Sequence, residues 1–208
     1  LGLLPDTTSS VVVNGSGVNT VAFAPAPLSG GPIRFLLIAR ILGDKGIREF
    51  AAAARQFQEK AIKAEFHLIG SLDPNPDGLP EKLVKTWQQS GVLHWHGGMS
   101  DVRPSIAGAH VYVLPSYREG TPRTVLEAMS MGRPIITTDA PGCRETVVPG
   151  VNGFLVPVRN TQALVDAMHR FIVNPDLVSR MGAQSRRIAE EKYDVRKVNA
   201  EMFKAMGL

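Results

Sequence analysis

The sequence predicts an α/β fold, and three observations lead to this prediction. From Ile33 onward, short runs rich in Ile, Val, Leu and Phe alternate with longer stretches of helical period, the pattern of repeated βα units around a buried sheet. A hydrophobic content of 44% over 208 residues suits a packed core. The longest apolar run is broken by Arg34 and Arg40, so it falls short of the roughly 20 apolar residues that a membrane-spanning helix needs. Together these features predict a doubly wound, Rossmann-like parallel sheet of about six strands.

Each element is placed from its local pattern. The apolar runs predict strands at 33–39, 65–69, 92–95, 110–114, 134–138 and 153–156. Helical periodicity predicts helices at 46–60, 79–90, 101–108, 122–132, 142–147, 161–173, 176–191 and 194–206. Residues 72–80 contain three prolines and a glycine and are therefore predicted to form a loop.

The elements divide the chain into three parts. Residues 1–32 are expected to be a linker and entry segment, in which the stretch 11–25 contributes a short strand and 24–31 is the linker. Residues 33–192 form the predicted Rossmann-like domain, and residues 193–208 form a C-terminal helix. The first residues carry neither an initiator Met nor a secretory pattern, so we expect the chain to be a fragment of a longer protein. The single cysteine excludes an internal disulfide and favours a cytoplasmic location.

The net charge of +4 does not indicate nucleic-acid binding. Residues 180–208 hold seven Lys or Arg against four Asp or Glu, so most of the excess lies on the last helices. Aromatic residues are not interleaved with these charges, and no nucleic-acid motif is present. The alternatives are a solvated helix face and a surface that meets anionic lipid.

The loop after the first predicted strand carries two cations. Arg40 ends the strand, and Lys45 follows five positions later at the start of the next helix. Arginine binds phosphate through two parallel hydrogen bonds and lysine adds a mobile charge, so the loop predicts an anion site. The G-x-G-x-x-G fingerprint is absent here, which disfavours NAD or FAD. The alternative is a solvated arginine and a lysine paired with Asp44 or Glu49.

Residues 117–134, with the sequence YREGTPRTVLEAMSMGRP, place two carboxylates around a predicted helix start. Pro122 suits the first helical position with Thr121 as N-cap. The free N–H groups of Arg123 and Thr124 would then form an anion site suited to phosphate.

Glu119 in this loop and Glu127 in the second turn of the helix could accept hydrogen bonds from sugar hydroxyls on either side of the phosphate. The alternative is that Arg123 and Glu127 form an i,i+4 pair worth about 0.3 to 0.5 kcal/mol and that Glu119 merely faces the helix N-terminus. The spacing alone leaves both interpretations open.

Cys143 and the histidines at 94 and 96 are candidates for catalytic or metal roles. Cys143 has no candidate base nearby in the sequence, so we interpret it as a packing residue, and Asp139 is a candidate cap for the helix at 142–147. We expect His94 and His96 to face opposite sides of their strand, which argues against joint metal ligation and favours core packing or contact with a nucleobase. No D-x-D pair is present to hold a divalent ion. The predicted chemistry therefore uses neither a metal nor another cofactor.

The segment EGTPRTVLEAMSMGRPIITTDAPGCRETV, with ARILGDKG before it and GVNGFLVP after it, resembles the C-terminal, donor-binding domain of retaining glycosyltransferases of family 4, which have the GT-B fold. The resemblance covers roughly residues 10–206 and rests on the combination of E-x7-E with an upstream R-x4-K. It implies transfer of a hexose or HexNAc from an NDP-sugar, expected to be a UDP-sugar, to a glycan or polyprenyl-diphosphate-linked acceptor. The PGCRETV variant is similar to bacterial members that build lipid-linked oligosaccharides and polysaccharides.

The resemblance also implies a role for individual residues. Arg40 and Lys45 contact the diphosphate and Glu119 the transferred sugar, and these three are the expected catalytic residues. Glu127 contacts the ribose. The other expected donor-binding residues are Gly70, Leu93, His96, Gly120, Thr121, Arg123 and Thr124, with the segment from Leu93 to His96 bordering the base mainly through backbone groups. The family commonly has E-G-F-G where this chain has Glu119-Gly120-Thr121-Pro122, so the identity of the donor sugar stays open.

The resemblance implies further that an N-terminal domain outside this chain binds the acceptor. The C-terminal helix is expected to return toward that domain, and the fragment alone is expected to be inactive. The full-length enzyme is expected to be cytoplasmic, with peripheral contact at the inner face of the cell membrane. Two alternatives share the fold: a GT-B-like nucleotide-sugar epimerase and a non-catalytic domain. The presence of all four motif residues favours an enzyme.

Overall fold

The computed structural model describes residues 15–206 and places six strands in one parallel sheet. The strands are β1 (Ile33–Ile38), β2 (Ala64–Ile69), β3 (His94–Trp95), β4 (Val111–Leu114), β5 (Ile135–Thr138) and β6 (Gly153–Val156). They are arranged in the order β3-β2-β1-β4-β5-β6. The longest pairing joins β1 to β2, with Ile33 opposite Ala64 and Ile38 opposite Ile69. The predicted fold class is confirmed. The expected strand within 11–25 is not formed in the described part, 15–25, where Val18 makes only an isolated bridge to Asp194, and residues 11–14 lie outside the described residues.

Seven helices are present among the described residues. They are α1 (Ile47–Glu59), α2 (Glu81–Gln89), α3 (Arg103–Gly108), α4 (Arg123–Ser130), α5 (Thr161–Val173), α6 (Asp176–Lys192) and α7 (Val195–Met206). Short 3-10 turns form at Gly43–Lys45 and Arg144–Thr146. The predicted helix at 142–147 is therefore wrong in type and length. Gly142, with φ of 82°, interrupts the regular helical backbone before the turn.

Two apolar layers cover the two faces of the sheet. Because successive side chains of a strand point to opposite faces, Phe35 and Leu37 pack with α1, α2 and α5, whereas Leu36 and Ile38 pack with α3, α4 and the end of α6. α1 also packs against α5, and α4 against α6. Both faces of the sheet are therefore buried, which explains why the strands are nearly continuous apolar runs.

The strand order places the candidate site. β1 lies between β2 and β4, so the chain winds outward in one direction after β1 and in the other after β4. In such sheets a crevice opens at the carboxyl ends of the two central strands, where the following loops separate. The loops predicted to bind phosphate and sugar are those after β1 and β4, and they flank this crevice.

The described part of the N-terminal segment is joined to the junction between α6 and α7. The N–H of Val18 donates to the carbonyl of Tyr193 at 2.7 Å, and the N–H of Val195 donates to the carbonyl of Val18 at 2.9 Å. The buried carboxylate of Asp194 accepts hydrogen bonds from the guanidinium of Arg196 and the hydroxyl of Thr20. These bonds hold the pKa of Asp194 well below its usual range, the Arg196 contact being the largest cause.

Replacing Asp194 by Asn is expected to lower the free energy of unfolding by about 1 to 2 kcal/mol at pH 7, because a buried charge-assisted set of hydrogen bonds is lost. A carboxylate whose folded-state pKa is lowered stabilises the fold above its unfolded pKa of about 3.9 and loses this effect as the pH falls. The difference between wild type and variant should therefore shrink from pH 7 to pH 3 in urea unfolding.

A matched control exists for the Asp194 variant. Asp101 makes the same contacts to Arg103 that Asp194 makes to Arg196, but the Asp101 side chain is 46% exposed and the Asp194 side chain 4%. Asp101→Asn should have a much smaller effect. Equal losses from the two substitutions would show that burial of Asp194 does not matter.

Candidate functional site

An ion pair across the crevice connects the loops after β1 and β4. The Nζ of Lys45 lies 2.8 Å from Oε1 of Glu119, and the two side chains are 15% and 18% exposed. The nearest oxygen of Asp44 is 3.8 Å from the same ammonium. The main partner of Lys45 is therefore Glu119 and not the local carboxylates weighed from the sequence. This contact brings two of the predicted catalytic residues together.

Arg40 lies at the edge of the crevice and is held by the predicted loop at 72–80, to which the sequence assigned no role in the site. Its Nη1 donates to Oδ2 of Asp73 at 2.8 Å, and its side chain is 67% exposed. Arg40 borders a cleft of about 540 Å³ that is also lined by Gly70 and Thr124. Asp73 lies in the proline-rich loop before α2, and no local sequence signal identifies it as a partner of Arg40.

Gly70 is required by the close approach of three loops. A Cβ at this position would lie 1.8 Å from the carbonyl oxygen of Ala39, a distance that no side chain tolerates. The N–H of Gly70 donates to the carbonyl of Gly97 at 2.8 Å, and its own carbonyl accepts from Nε1 of Trp95 at 3.0 Å. Gly70 therefore ties together the ends of β1, β2 and β3 beside the cleft.

The start of α4 differs by one residue from the prediction. Pro122, with an extended ψ of 110°, is the N-cap and Arg123 the first helical residue, so the assignment of Thr121 as N-cap was wrong. The N–H groups of Val125 and Leu126 donate to the carbonyl of Pro122. Within residues 15–206, those of Arg123 and Thr124 have no hydrogen-bond acceptor. A free pair of donors at a helix start binds anions.

Glu127 is buried one turn beyond this helix start. Its Oε1 accepts from Nε of Arg123 at 3.1 Å, and the two side chains are 8% and 75% exposed respectively. Burial raises the pKa of Glu127, and the neighbouring Arg123 opposes this rise. The i,i+4 pair weighed from the sequence is therefore formed, but its acidic member is far less exposed than a solvated surface pair would be.

The hydroxyl of Thr124 fastens α4 to the end of β1. It accepts a hydrogen bond from the hydroxyl of Tyr112 at 2.7 Å, and Tyr112 is 3.1 Å from the carbonyl of Ile38. Burial raises the pKa of Tyr112 well above its usual range, so the phenol stays neutral. Thr124 thus lies on the wall of the 540 Å³ cleft with a fixed orientation.

The loop after β5 packs against the loop that carries Glu119. A Cβ at Gly142 would lie 1.7 Å from the carbonyl oxygen of Gly120 and 2.2 Å from that of Glu119. The N–H of Glu119 donates to the carbonyl of Pro141 at 3.1 Å. Asp139 does not cap a helix as expected, since its Oδ1 accepts from Nε of Arg144 at 2.8 Å.

Cys143 lies in the same loop after β5, next to Gly142. It is buried, and burial raises the pKa of its thiol. A thiol with a raised pKa is a weak nucleophile, in keeping with a packing role.

The expected orientation of two histidines was wrong. Residues two apart in a strand share a face, and both His94 and His96 stack on His67, with ring centroids 5.1 and 5.2 Å apart. Nδ1 of His67 is 2.9 Å from Nε2 of His96. The side chain of Leu93 lies before β3 in the apolar core, so it reaches neither this surface nor the cleft. Only its backbone is available to a base.

A further polar group near the site was not anticipated from the sequence. The hydroxyl of Tyr117 donates to Oε1 of Glu49 at 2.7 Å, and the guanidinium of Arg159 lies 4.7 Å from the centroid of the Tyr117 ring. The three residues come from separate loops and helices, so only the folded arrangement reveals them. They hold the loop after β4 against the start of α1.

Residues 15–206 contain neither a cluster suited to a metal nor a membrane-spanning helix. No three side chains of His, Cys, Asp or Glu converge on a point suited to a metal ion. None of the helices described has the length and apolar character needed to cross a bilayer.

The parallel sheet and its central crevice define a doubly wound α/β protein, and the loops at the crevice carry paired charges. Residues 32–174 match the family described as Glycosyl transferases group 1, and the chain belongs to this family. The prediction of a group 1 glycosyltransferase domain is thereby confirmed, whereas its assignment to the retaining enzymes of family 4 stays a prediction.

Relatives and solved structures are similar to this chain over parts of their length. The N,N'-diacetylbacillosaminyl-diphospho-undecaprenol alpha-1,3-N-acetylgalactosaminyltransferase of Campylobacter jejuni is 35% identical over 129 residues, which are 62% of this chain and 32% of the relative. Sucrose-phosphate synthase from Thermosynechococcus elongatus superimposes with a TM-score of 0.79 at 26% identity, over 90% of this chain and 50% of the other. HepE of Anabaena, solved in complex with UDP-glucose, superimposes with a TM-score of 0.79 at 18% identity. The superposition covers 92% of this chain and 56% of HepE. The chain thus spans about a third to a half of the length of the first curated relatives that it matches.

Proposed function

We propose that the crevice binds a nucleoside diphosphate sugar, expected to be a UDP-sugar, as the donor half of a retaining glycosyltransferase. The observation that carries this proposal is the Lys45–Glu119 pair, 2.8 Å apart, whose glutamate precedes the free N–H groups at the start of α4 by four residues. A cation, two amide donors and a carboxylate acceptor within one crevice match a diphosphate joined to a sugar. The UDP-glucose complex of HepE, which shares the fold, supports the choice of ligand class.

Donor binding would proceed as an exchange of partners. The ammonium of Lys45 would turn from Glu119 to the diphosphate, and the carboxylate of Glu119 would accept hydrogen bonds from the sugar hydroxyls. Arg40 is largely exposed, so its guanidinium can reorient from Asp73 toward the same phosphates. In the transfer step these cations and the N–H groups of α4 would stabilise the negative charge that develops on the leaving nucleotide.

The other proposed contacts with the nucleotide sugar are assigned from where each residue lies around the cleft. Glu127 would accept from the ribose hydroxyls, with Arg123 moving aside because its side chain is exposed. Gly70 and Thr124 line the cleft, whereas Gly120 and Thr121 form the turn next to Glu119. His96 and the backbone of Leu93 would border the base.

Retention of the anomeric configuration would follow if the acceptor hydroxyl attacks from the face that the nucleotide leaves. The new glycosidic bond forms as the bond between sugar and phosphate oxygen breaks, and the departing diphosphate takes the hydroxyl proton. No protein base, metal or other cofactor is then required. The free N–H groups and the two cations supply the electrostatic part of catalysis.

The acceptor is proposed to be a glycan or a polyprenyl-diphosphate-linked sugar, bound by a further domain of a longer enzyme. The name of the C. jejuni relative, which specifies a diphospho-undecaprenol acceptor, supports this class. A cytoplasmic enzyme with peripheral contact at the inner membrane face fits such an acceptor. The fragment alone is then expected to bind donor and to be inactive in transfer.

Calorimetry of the 208-residue chain with UDP, UMP, GDP and ADP tests the proposed site. UDP should bind more tightly than UMP, because only the diphosphate reaches both Lys45 and the start of α4. If a well-folded chain bound none of the four nucleotides, the proposed function would be contradicted. In the longer enzyme, release of a free epimerised sugar in place of a glycoside would favour an epimerase.

Replacing Glu119 by Gln is expected to raise the affinity for UDP about 2- to 5-fold and to remove the preference for UDP-glucose or UDP-N-acetylglucosamine over UDP. The substitution frees Lys45 from a partly buried ion pair, whose competition with the phosphates is worth up to about 1 kcal/mol. It also weakens the acceptor for sugar hydroxyls. Calorimetry with UDP and both UDP-sugars measures the two effects separately.

Glu145→Gln is the control for this substitution, since Glu145 is an exposed carboxylate in the neighbouring 3-10 turn. It should change neither affinity. A lower affinity of Glu119→Gln for UDP would show that the pair organises the phosphate site rather than competing with it.

A further inference from the structure

We propose that Gly15 is a positioning residue for the donor-binding turn: it sets the place of Thr121, and through it the phosphate-binding start of α4, without touching the donor. This inference rests on the proposed function for its consequence, though not for the contact itself. We call residues 15–23 the N-terminal strap.

One end of the strap lies directly against the turn. A Cβ at Gly15 would be 2.5 Å from Cβ and 2.7 Å from Oγ1 of Thr121. Gly15 also has φ of 65°, a left-handed backbone conformation that glycine adopts without strain. Thr121 is two residues before the first helical residue of α4, so a displacement at Thr121 moves the free N–H groups of Arg123 and Thr124.

The strap cannot move away from Thr121, because Gly17 and Val18 are packed against the start of α7. A Cβ at Gly17 would lie 2.8 Å from Cα of Val195 and 3.0 Å from the carbonyl oxygen of Tyr193. The hydrogen bonds of Val18 to Tyr193 and Val195 hold the same segment against the start of α7. A side chain added at Gly15 must therefore displace Thr121 rather than the strap.

The other end of the strap is attached to the far end of the same helix. The hydroxyl of Ser130, the last residue of α4, donates to the carbonyl of Phe23 at 2.7 Å. Nη1 of Arg186 in α6 donates to the carbonyls of Thr20, Phe23 and Ser130 at 3.0, 3.1 and 2.8 Å. The strap thus contacts both ends of α4, and the contact at Gly15 is the one next to the donor site.

The test compares Gly15→Ala with Gly91→Ala in the 208-residue chain. Gly91 has a matching φ of 69°, but the nearest atom to a Cβ there is Nε2 of Gln58 at an ordinary 3.5 Å. Both variants carry similar backbone strain and Gly15→Ala adds the clash with Thr121, so both should lose thermal stability and Gly15→Ala should lose more. Only Gly15→Ala should shift the amide NMR resonances of Arg123 and Thr124 and weaken UDP binding, by about 10-fold for a displacement worth about 1.4 kcal/mol.

A double variant separates displacement from general damage. Thr121→Gly removes the atoms that a Cβ at Gly15 would strike, so Gly15→Ala should change UDP affinity less than 3-fold when it is introduced into Thr121→Gly. Unshifted amides of Arg123 and Thr124 in Gly15→Ala, or equal shifts in Gly91→Ala, would overturn the proposal whether or not any nucleotide binds. Absence of nucleotide binding by wild type would instead contradict the proposed function.

Discussion

Replacing Lys45 by Ala is expected to weaken the binding of UDP about 100-fold. The substitution removes a charge-assisted hydrogen bond to phosphate, worth about 1.5 to 3 kcal/mol. It also leaves Glu119, only 18% exposed, without its partner at 2.8 Å. The unpaired carboxylate then faces the diphosphate. A total of about 3 kcal/mol corresponds to about 100-fold, since about 1.4 kcal/mol is tenfold in affinity.

Titration calorimetry with UDP measures this effect, with far-UV circular dichroism to verify folding. Lys60→Ala is the control, because Lys60 is an exposed lysine at the end of α1 and far along the chain from the crevice loops. The double variant Lys45→Ala/Glu119→Gln should recover part of the lost affinity by removing the repulsion. Affinity within about 3-fold of wild type in folded Lys45→Ala would rule out a phosphate role for this lysine.

Replacing Arg133 by Met is expected to lower the free energy of unfolding by about 3 kcal/mol. Arg133 is 1% exposed, and its guanidinium donates to the carbonyls of Ile106, Ala107 and Ala26 at 2.9 to 3.0 Å. Burial lowers its pKa to about 10, which still leaves it charged at neutral pH. Methionine fills a similar volume but leaves several buried carbonyls without a donor. Each carbonyl that water does not reach costs about 1 to 3 kcal/mol.

Urea unfolding monitored by circular dichroism gives this difference. Arg187→Met is the control, since Arg187 is 61% exposed and only 3.9 Å from Glu191. It should change stability by less than about 0.5 kcal/mol. A similarly small loss for Arg133→Met would mean that water replaces the guanidinium at these carbonyls.

The fold was predictable because its signals are local. Each parallel strand is buried on both faces, so it appears as a short apolar run, and all six runs lie within two residues of the observed strands. The longer helices repeat apolar residues with a period that the sequence displays directly. The short turn at Arg144–Thr146 is the exception, because Gly142 must adopt a left-handed backbone where it touches Gly120. That contact joins residues far apart in the chain.

The sequence indicated candidate residues for the site, whose roles stay predictions, but it did not indicate how their side chains pair. The position of strand ends indicated that Arg40, Lys45 and Glu119 meet at one edge of the sheet. The partners Asp73 for Arg40 and Glu119 for Lys45 depend on which loops the fold brings together. The histidines differ in this respect, since the two-residue period of a strand already places His94 and His96 on one face.

The burial of Cys143 makes the protein convenient for optical measurement. It is the single cysteine in the sequence, and its side chain is fully buried. A cysteine introduced at Val148, which is 50% exposed at the amino end of β6, would react selectively with a thiol dye. Because β6 begins at the edge of the sheet opposite the crevice, the dye would not obstruct the ligand. The native chain thus accepts a single fluorescent reporter without prior removal of its own thiol.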